Sequence, residues 1–316
     1  MEKEFDYLSF IKSLISFSPR QLEGERKAGN FIISILENHN IKYWPDYFFT
    51  RVPKIEKAVL KANGKEIPCR GCSFYSGKIK DKDYLISSLI PSRFFLDKSN
   101  INFNPKCRGI SLSNFYSAPA LAVSRKVLNC ILKAKKIEGE IKVKPIKYKA
   151  CNILVGNKEN PKVICFAHYD SIEKGTVDNA SGVAVMMATI LSRLETLKKV
   201  LYVFLANEEL SYDRPIYWGH SFRVFEDKFY HLLKRADKVL ILDCLGNGPT
   251  KIYRDKNSIY LAFPIKNREK WQKKIFIISG DRDRLMSIYH SNLDDLKELK
   301  PSYLKEASKL LLSYVS

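Results

Sequence analysis

Apolar residues recur at helical spacing over the first 40 positions and predict two helices, over residues 4–18 and 20–39. One side of the second predicted helix is apolar and carries Leu22, Phe31, Ile32, Ile35 and Leu36. Its other side is polar and carries Arg20, Glu23, Glu25 and Lys27. From residue 41 to about residue 148, short β-like runs alternate with Pro and Gly, and one helix-like stretch lies at residues 124–136.

Three strongly apolar runs follow, at residues 162–167, 200–206 and 238–242. Runs that are apolar on both faces and separated by helix-length segments are typical of buried parallel strands. The predicted crossover helices lie at residues 186–197 and 222–235. We therefore predict an α/β domain formed by residues 1–50 and 150–316, interrupted by a β-rich insert at residues 51–149.

The charge of the chain is concentrated in this insert. Among 316 residues there are 54 Lys and Arg against 34 Asp and Glu, and residues 51–150 alone carry 22 basic and seven acidic side chains. A basic block attracts phosphate, acidic proteins or membrane headgroups. No helix-turn-helix, zinc-finger or RNA-binding signature accompanies it, so we expect a Lys-rich solvated surface and no nucleic-acid partner.

The apolar runs and the number of cysteines also indicate where in the cell the protein is located. No run approaches the roughly 18 apolar residues that a membrane helix needs, and no basic segment precedes an apolar stretch at the N-terminus. We therefore expect neither a membrane anchor nor a signal peptide. Seven Cys in 316 residues are too few for a disulfide scaffold, which favours a cytoplasmic location.

Side chains of the types that bind metals stand directly after each apolar run. They are His168 and Asp170 after the first run, Glu208 and Glu209 after the second, and Asp243 after the third. Ligands of open α/β sheets bind beyond the carboxyl ends of the strands, so we expect these side chains to meet. Two further candidates are Asp178 and His290. Two histidines with several carboxylates suit zinc or a similar divalent ion in a hydrolytic site.

Five segments carry a family resemblance: Ala167-His-Tyr-Asp-Ser171, Val177-Asp-Asn-Ala-Ser-Gly182, Asn207-Glu-Glu209, Leu242-Asp-Cys-Leu-Gly246 and His290-Ser-Asn-Leu-Asp294. In this order they resemble the co-catalytic di-zinc aminopeptidases, the family of bacterial leucyl aminopeptidase, glutamate carboxypeptidase and the transferrin receptor. The match covers residues 150–246 and 289–316. It implies a mixed, mostly parallel central sheet with helices on both faces.

The resemblance also implies a role for each candidate residue. Asp178 would bridge two zinc ions. His168 and Asp243 would hold one ion, and Glu209 and His290 would hold the other. Glu208 would be the general base, and Asp170 would orient His168. A shared carboxylate offsets the repulsion between two ions, and a neighbouring carboxylate can take a proton from a water that the ions acidify.

These assignments predict a metal-dependent exopeptidase with two Zn²⁺ per chain, most simply an aminopeptidase that removes N-terminal residues from short peptides. Other divalent metals and a homodimer are left open. Relatives with this motif typically carry a cis peptide after the bridging aspartate, so the resemblance implies a cis bond between Asp178 and Asn179.

Three segments depart from the family pattern. Residues 210–218 lengthen the loop after Glu209, only 47 residues separate Asp243 from His290, and Ser279-Gly-Asp-Arg-Asp283 replaces the usual stretch before the last ligand. These segments normally build the substrate pocket, so the preferred side chain stays open. The longer loop and the Leu-Asp-x-Leu-Gly around Asp243 also resemble glutaminyl cyclases, which use one zinc on the same scaffold. A metal-bearing interaction module that uses the basic insert is the non-enzymatic alternative.

The end of the insert resembles the protease-associated domain found within some members of the family, through Ala118-Pro-Ala-Leu-Ala-Val-Ser124 and Gly139-Glu-Ile-Lys-Val-Lys144. Four of the seven cysteines lie in the insert: Cys69, Cys72, Cys107 and Cys130. Free thiols are favoured there over a disulfide or a structural zinc site, because the second pair lacks the spacing of a zinc motif.

Overall fold

The computed structural model describes residues 5–80, 82–89 and 97–316. Within these ranges thirteen strands form two sheets. The strands are β1 (Tyr43–Ala62), β2 (Lys65–Glu66), β3 (Cys69–Gly71), β4 (Gly77–Ile79), β5 (Leu85–Ser87), β6 (Asn100–Phe103), β7 (Ala120–Val123), β8 (Ile137–Gly156), β9 (Val163–His168), β10 (Val200–Leu205), β11 (Lys238–Leu242), β12 (Lys251–Tyr253) and β13 (Ile275–Ser279).

The α-helices of the described residues alternate with these strands. They are α1 (Tyr7–Ile15), α2 (Glu23–Asn38), α3 (Leu128–Lys133), α4 (Ser181–Ser192), α5 (His220–Arg235), α6 (Lys256–Ala262), α7 (Arg268–Trp271), α8 (Arg282–Met286) and α9 (Pro301–Val315). Both predicted N-terminal helices are present, and residue 4 of the first prediction lies outside the described residues. The helix α4 begins five residues before its predicted start, because residues 181–190 are all buried and no polar face marks where it begins.

The central sheet has the order β12-β13-β11-β9-β10-β8-β1-β2, with β4 also paired to β8. Strands β9, β10, β11 and β13 are parallel, and β8 and β12 run antiparallel to their neighbours. The three predicted apolar runs form β9, β10 and β11. The strand β13 is a fourth parallel strand that the apolar pattern did not predict.

Helices cover both faces of this sheet, as the resemblance implied. Along β10, Val200, Tyr202 and Phe204 face the core shared with α1, α2, α4 and α9. The alternate residues Leu201, Val203 and Leu205 face the core shared with α5, α6 and α7. Every residue of β10 is therefore buried, which explains why its sequence is apolar without alternation.

The prediction of short strands between residues 41 and 148 is wrong at both ends of that segment. β1 and β8 each run for 20 residues and pair antiparallel along almost their whole length. Pro53 was expected to interrupt the first strand, but it lies opposite Pro145 in the ladder. Alternate pairs of an antiparallel ladder exchange no backbone hydrogen bonds, so two prolines facing each other at such a pair remove none.

The two long strands continue from the central sheet into the segment predicted as an insert. The predicted boundaries, near residues 50 and 150, fall inside β1 and β8. Beyond them β3, β7, β6 and β5 form the second sheet, and α3 lies within the predicted helix-like stretch. A separate apolar core around Leu60, Leu121 and Ile141 holds this part together.

Two further features concern the whole described chain. All seven cysteines lie in the described ranges and none forms a disulfide. Within the same ranges, no helix combines the length and the apolar character that a membrane span requires.

Two charged residues that were placed on the polar side of the second helix are instead fully buried. Arg20 has no exposed surface, and its guanidinium donates hydrogen bonds to the carbonyl oxygens of Tyr169 (2.5 Å), Lys174 (2.8 Å) and Gly175 (2.8 Å). Burial lowers its pKa to about 10, against the pull of nearby carboxylates, so it remains charged at neutral pH. Arg20 thus holds the loop that follows β9, and this loop carries Asp178.

Glu25, the other buried residue, accepts a hydrogen bond from the backbone N–H of Asn207 at 2.9 Å.

We predict that Arg20→Met lowers the free energy of unfolding by about 3–5 kcal/mol, because three carbonyl groups of the loop after β9 each lose a hydrogen bond from the buried guanidinium. The measurement is urea unfolding followed by circular dichroism. Arg26→Met is the matched control: the Arg26 side chain is 61% exposed and pairs with the equally exposed Glu23 among the described residues, so this variant should keep the unfolding midpoint of the wild type. Equal unfolding midpoints for the two variants would contradict the role given to Arg20.

Candidate metal centre

The carboxyl ends of three parallel strands bring the predicted ligands together. His168 is the last residue of β9, and Asp243 directly follows β11. The Nε2 atom of His168 lies 3.2 Å from Oδ1 of Asp178 and 3.7 Å from Oδ1 of Asp243. These three side chains form one half of a buried polar cluster.

The other half of the cluster lies around His290. Its Nε2 atom is 2.8 Å from Oε2 of Glu209 and 3.4 Å from Oδ2 of Asp178. Asp178 therefore stands between the two histidines and turns one carboxylate oxygen toward each. This arrangement brings together all five predicted ligands in the two groups that the resemblance implied.

The unsatisfied atoms of the cluster fit a metal better than they fit a set of hydrogen bonds. Nε2 of His290 and Oε1 of Glu209 are buried and have no hydrogen-bond partner among the described residues. Nε2 of His290 lies 2.8 Å from the other oxygen of Glu209, Oε2, but this short contact does not have the geometry of a hydrogen bond. Ligand atoms of His168, Asp178 and Glu209 lie within 4.8 Å of one another, as do those of Asp178, Asp243 and Cys244. Imidazole nitrogen and carboxylate oxygen are donors that suit zinc.

Asp178 is held by its own backbone as well as by the loop around it. The backbone N–H groups of Val177 and Asp178 donate to the carboxylate of Asp294, at 2.7 and 3.2 Å. The side-chain amide of Asn179 donates to the carbonyl oxygen of Leu242 at 2.8 Å, at the end of β11. The peptide bond between Asp178 and Asn179 is cis, as the resemblance implied. Asp178 is thereby fixed relative to both β9 and β11.

Asp170 has a different set of partners from the one predicted. Its carboxylate accepts hydrogen bonds from the backbone N–H groups of Glu208 and Glu209, each at 3.0 Å. Nδ1 of His168 lies 3.4 Å from Asp170 Oδ1 and makes no hydrogen bond. In this structure, the hydrogen bonds of Asp170 position the Glu208-Glu209 segment, and its role in orienting His168 stays a prediction.

His290 depends on the segment predicted as an insert. Its Nδ1 atom lies 3.1 Å from the carbonyl oxygen of Leu112, and the N–H of Leu112 donates to the carbonyl oxygen of His290 at 2.9 Å. With the Nδ1 proton directed at Leu112, Nε2 is the ring nitrogen that faces Glu209 and Asp178. No side-chain pattern pointed to Leu112, because only its backbone is involved.

Three non-glycine residues at the site have positive φ: Asn207 (49°), Cys244 (59°) and His290 (46°). Such backbone conformations cost about 1–3 kcal/mol each and persist where the surroundings hold them. Asn207, which precedes the two glutamates, is held by Glu25 through its N–H and by Thr50, whose hydroxyl donates to its side-chain oxygen at 2.6 Å. The loops that carry Glu209, Asp243 and His290 thus each contain one residue with an unfavourable backbone conformation that the surrounding fold must stabilise.

Burial and charge shift the pKa values of the cluster in opposite directions. Burial raises the pKa of Glu208 well above its usual range and that of Glu209 to about 7, and their carboxylate neighbours add to this. For Asp178, burial acts in the same direction, but the two histidines outweigh it and lower the pKa. Burial opposes protonation of His290, yet Glu209 and Asp178 raise its pKa to about 10. The neighbouring carboxylates thus favour protonation of both histidines, and a bound metal ion would compete with those protons.

A cavity of about 260 Å³ lies beside the cluster. One side is formed by His168, Asp178, Glu208, Glu209, Asp243 and His290. The remaining walls include Tyr217, Trp218, Leu261, Leu285, Met286, Tyr289, Ser258 and Arg282. Glu208 lines the cavity, whereas Asp170 does not. Tyr217, Trp218 and Arg282 lie in segments that depart from the family pattern and that the resemblance associates with the substrate pocket. No sequence pattern pointed to Leu261, Leu285, Met286 or Tyr289.

Comparisons with known proteins bear on the fold and on the family resemblance. Residues 152–255 match the model of peptidase family M28. No curated protein matches the chain. The structure is similar to a zinc aminopeptidase from Bacillus subtilis, with a TM-score of 0.67 and 14% identity over 99% of this chain and 95% of that chain.

Two other solved structures show the same fold. An aminopeptidase from Aneurinibacillus sp. strain AM-1 has a TM-score of 0.60 and 15% identity, covering 99% of this chain and 93% of its own. A glutaminyl cyclase from Bacteroides thetaiotaomicron has a TM-score of 0.54 and 13% identity, covering 99% of this chain and 98% of its own. The chain therefore has the fold of the M28 zinc exopeptidases and matches the M28 model over residues 152–255, which confirms the predicted resemblance to the co-catalytic zinc aminopeptidases.

Proposed function

We propose that the protein is a di-zinc aminopeptidase that hydrolyses N-terminal residues from short peptides. The observation that carries this proposal is the placement of Asp178, whose two carboxylate oxygens face two different histidines. Asp243 lies beside His168 and Glu209 beside His290, so each half of the cluster has its own carboxylate. A shared carboxylate with a separate ligand group on each side is the arrangement that a pair of divalent ions needs.

In this proposal His168, Asp178 and Asp243 hold one zinc ion, and Asp178, Glu209 and His290 hold the other. Bound zinc supplies Lewis acidity, which acidifies a water molecule and polarises the peptide carbonyl. Glu208 lines the same cavity and is the general base: its carboxylate takes a proton from the water and delivers it to the leaving amine.

The main experiment is an activity screen on the purified, metal-loaded protein. It compares amino-acid anilides with N-terminally blocked peptides, with and without a chelator. Release of the N-terminal residue from unblocked substrates alone, abolished by chelation and restored by zinc, supports an aminopeptidase. Cleavage of blocked peptides would point to a carboxypeptidase, and no hydrolysis would favour a metal-bearing interaction module.

Glutaminyl cyclase is the second candidate, because a cyclase shares the fold at a TM-score of 0.54. The sequence around Asp243 and the lengthened loop also resemble those enzymes. Metal stoichiometry separates the two candidates: the aminopeptidase proposal requires two ions per chain, and the cyclase requires one. Cyclisation of an N-terminal glutamine peptide by a one-ion protein would replace our proposal.

We predict that Glu208→Gln retains its metal while kcat falls by about two to four decades, because the variant loses the proton acceptor and keeps every ligand. Metal content is measured by mass spectrometry beside the rate. Glu209→Gln, one residue further, should lose metal instead, since it removes a ligand. If Glu208→Gln loses its metal as well, the roles of the two glutamates are reversed.

We predict that His290→Ala binds one zinc ion fewer than the wild type after dialysis, because one half of the cluster loses its imidazole. His220→Ala is the matched control. His220 is also partly buried, but its ring contacts Thr50 and Asn207 outside the cavity, so this variant should keep the full metal content. An unchanged zinc content in His290→Ala would show that His290 is not a ligand.

A further inference from the structure

One wall of the cavity carries a cation that the proposed mechanism does not use. Among the described residues that line the cavity, Arg282 is the only Lys or Arg, and the acidic residues there are Asp178, Glu208, Glu209, Asp243 and Asp283. Arg282 is the first residue of α8 and lies three residues after the end of β13. It therefore follows a fourth parallel strand, at the same edge of the sheet as the proposed metal ligands.

The guanidinium of Arg282 is held in place without a direct salt bridge to a described residue. Its carbon lies 3.5 Å from the centre of the Tyr253 ring, and Nη1 donates to Oγ of Ser258 at 2.6 Å. The hydroxyl of Ser258 in turn donates to Asp255 at 2.6 Å, so its oxygen can only accept from Arg282. Arg282 forms no salt bridge with any described residue. Among the described residues, one of its five N–H donors has a hydrogen-bond partner, and the other four are available to a ligand.

The adjacent acidic residue does not compete for this cation. The side chain of Asp283 is 92% exposed and pairs with Lys106 at 2.8 Å, in the segment predicted as an insert. Three other described arginines stack on aromatic rings in the same way, Arg51 on Tyr212, Arg254 on Phe276 and Arg268 on Tyr260, but none of them lines the cavity. Stacking alone is thus common among the described arginines, whereas Arg282 combines stacking with a place in the wall of the cavity beside the proposed metal cluster.

We propose that Arg282 binds a carboxylate of the substrate, and that the preferred substrates are dipeptides with a free C-terminal carboxylate. A guanidinium that is fixed by a ring and a hydroxyl matches a carboxylate through paired hydrogen bonds. The cavity of about 260 Å³ lies below the roughly 300–1,000 Å³ of typical ligand pockets, which favours a substrate of about two residues. The proposal rests on the exopeptidase function above.

The first experiment compares kcat/KM of the metal-loaded protein for three substrates: Leu-Gly, Leu-Gly amide and Leu-Asp amide. We expect Leu-Gly to exceed its amide by about 10- to 100-fold, since the amide lacks the charged partner of Arg282. Equal values for the acid and the amide would overturn the proposal while leaving the peptidase function intact. A preference for Leu-Asp amide over Leu-Gly would overturn the dipeptide class, because the recognised carboxylate would then be a side chain.

Variants then test whether Arg282 is the cause. Arg282→Gln should lower the ratio of kcat/KM for the acid over the amide by about 10- to 100-fold, and Arg282→Lys should restore part of it. Arg254→Gln is the matched control, because Arg254 also stacks on a ring and donates to a backbone carbonyl but lies outside the cavity. A ratio that survives in Arg282→Gln would overturn the assignment.

A binding measurement separates this proposal from the proposed chemistry. Calorimetry of Glu208→Gln with Leu-Gly and with its amide needs no turnover. Tighter binding of the acid, lost when Arg282→Gln is added, supports the carboxylate site even if the wild type cleaves neither peptide. Equal binding of the two peptides overturns the carboxylate site, whatever the activity screen shows.

Discussion

The concentration of negative charge at one edge of the sheet is the constraint on which the rest of this structure depends. Asp178, Glu208, Glu209 and Asp243 meet within one cluster, and the first three are almost fully buried. Burying an uncompensated charge costs several kcal/mol, so such a cluster requires positive charge close by. Protonated histidines supply part of it in the protein alone. Two divalent ions would supply four positive charges at the same point and release those protons.

Around the cluster, buried polar residues connect it to the surrounding elements. Arg20 holds the loop after β9, and Glu25 holds the segment before Glu208. Asp170 accepts from the backbone of both glutamates, and Asp294 accepts from the backbone at Asp178. In each case these hydrogen bonds go to backbone groups and not to the side chain of a proposed metal ligand. The positions of the ligands therefore follow from the packing of several elements, which suits a site that must hold its geometry during a reaction.

The sequence revealed the ligands because their signal is local. An apolar run followed by His168 or Asp243 marks a strand end, and parallel strands place such ends at one edge. His290 and the division of the ligands into two groups came from the family resemblance. Arg20 and Glu25 were placed on a polar side, since helical spacing alone treats a charged residue as exposed. Burial of a charge depends on partners far along the chain, which no periodicity contains.

Other features depend on pairing between distant segments. Pro53 of β1 and Pro145 of β8 lie opposite each other inside one long ladder, a relation that neither strand shows by itself. Arg282 gained its meaning from β13, a strand of five residues that the sequence analysis did not single out. Its surroundings, Tyr253 and Ser258, come from β12 and α6 and join it only in the folded chain.

The backbone pairing of Leu112 with His290 makes the insert part of the metal centre's architecture. Residues 51–149 look like a removable module, yet one of their carbonyl groups sets the orientation of an imidazole almost 180 positions later. Because the requirement falls on a peptide group, side chains around residue 112 are free to change as long as the main chain keeps its course. The site therefore depends on the path of the backbone around residue 112. Shortening the chain there would change the position of His290 without replacing any ligand.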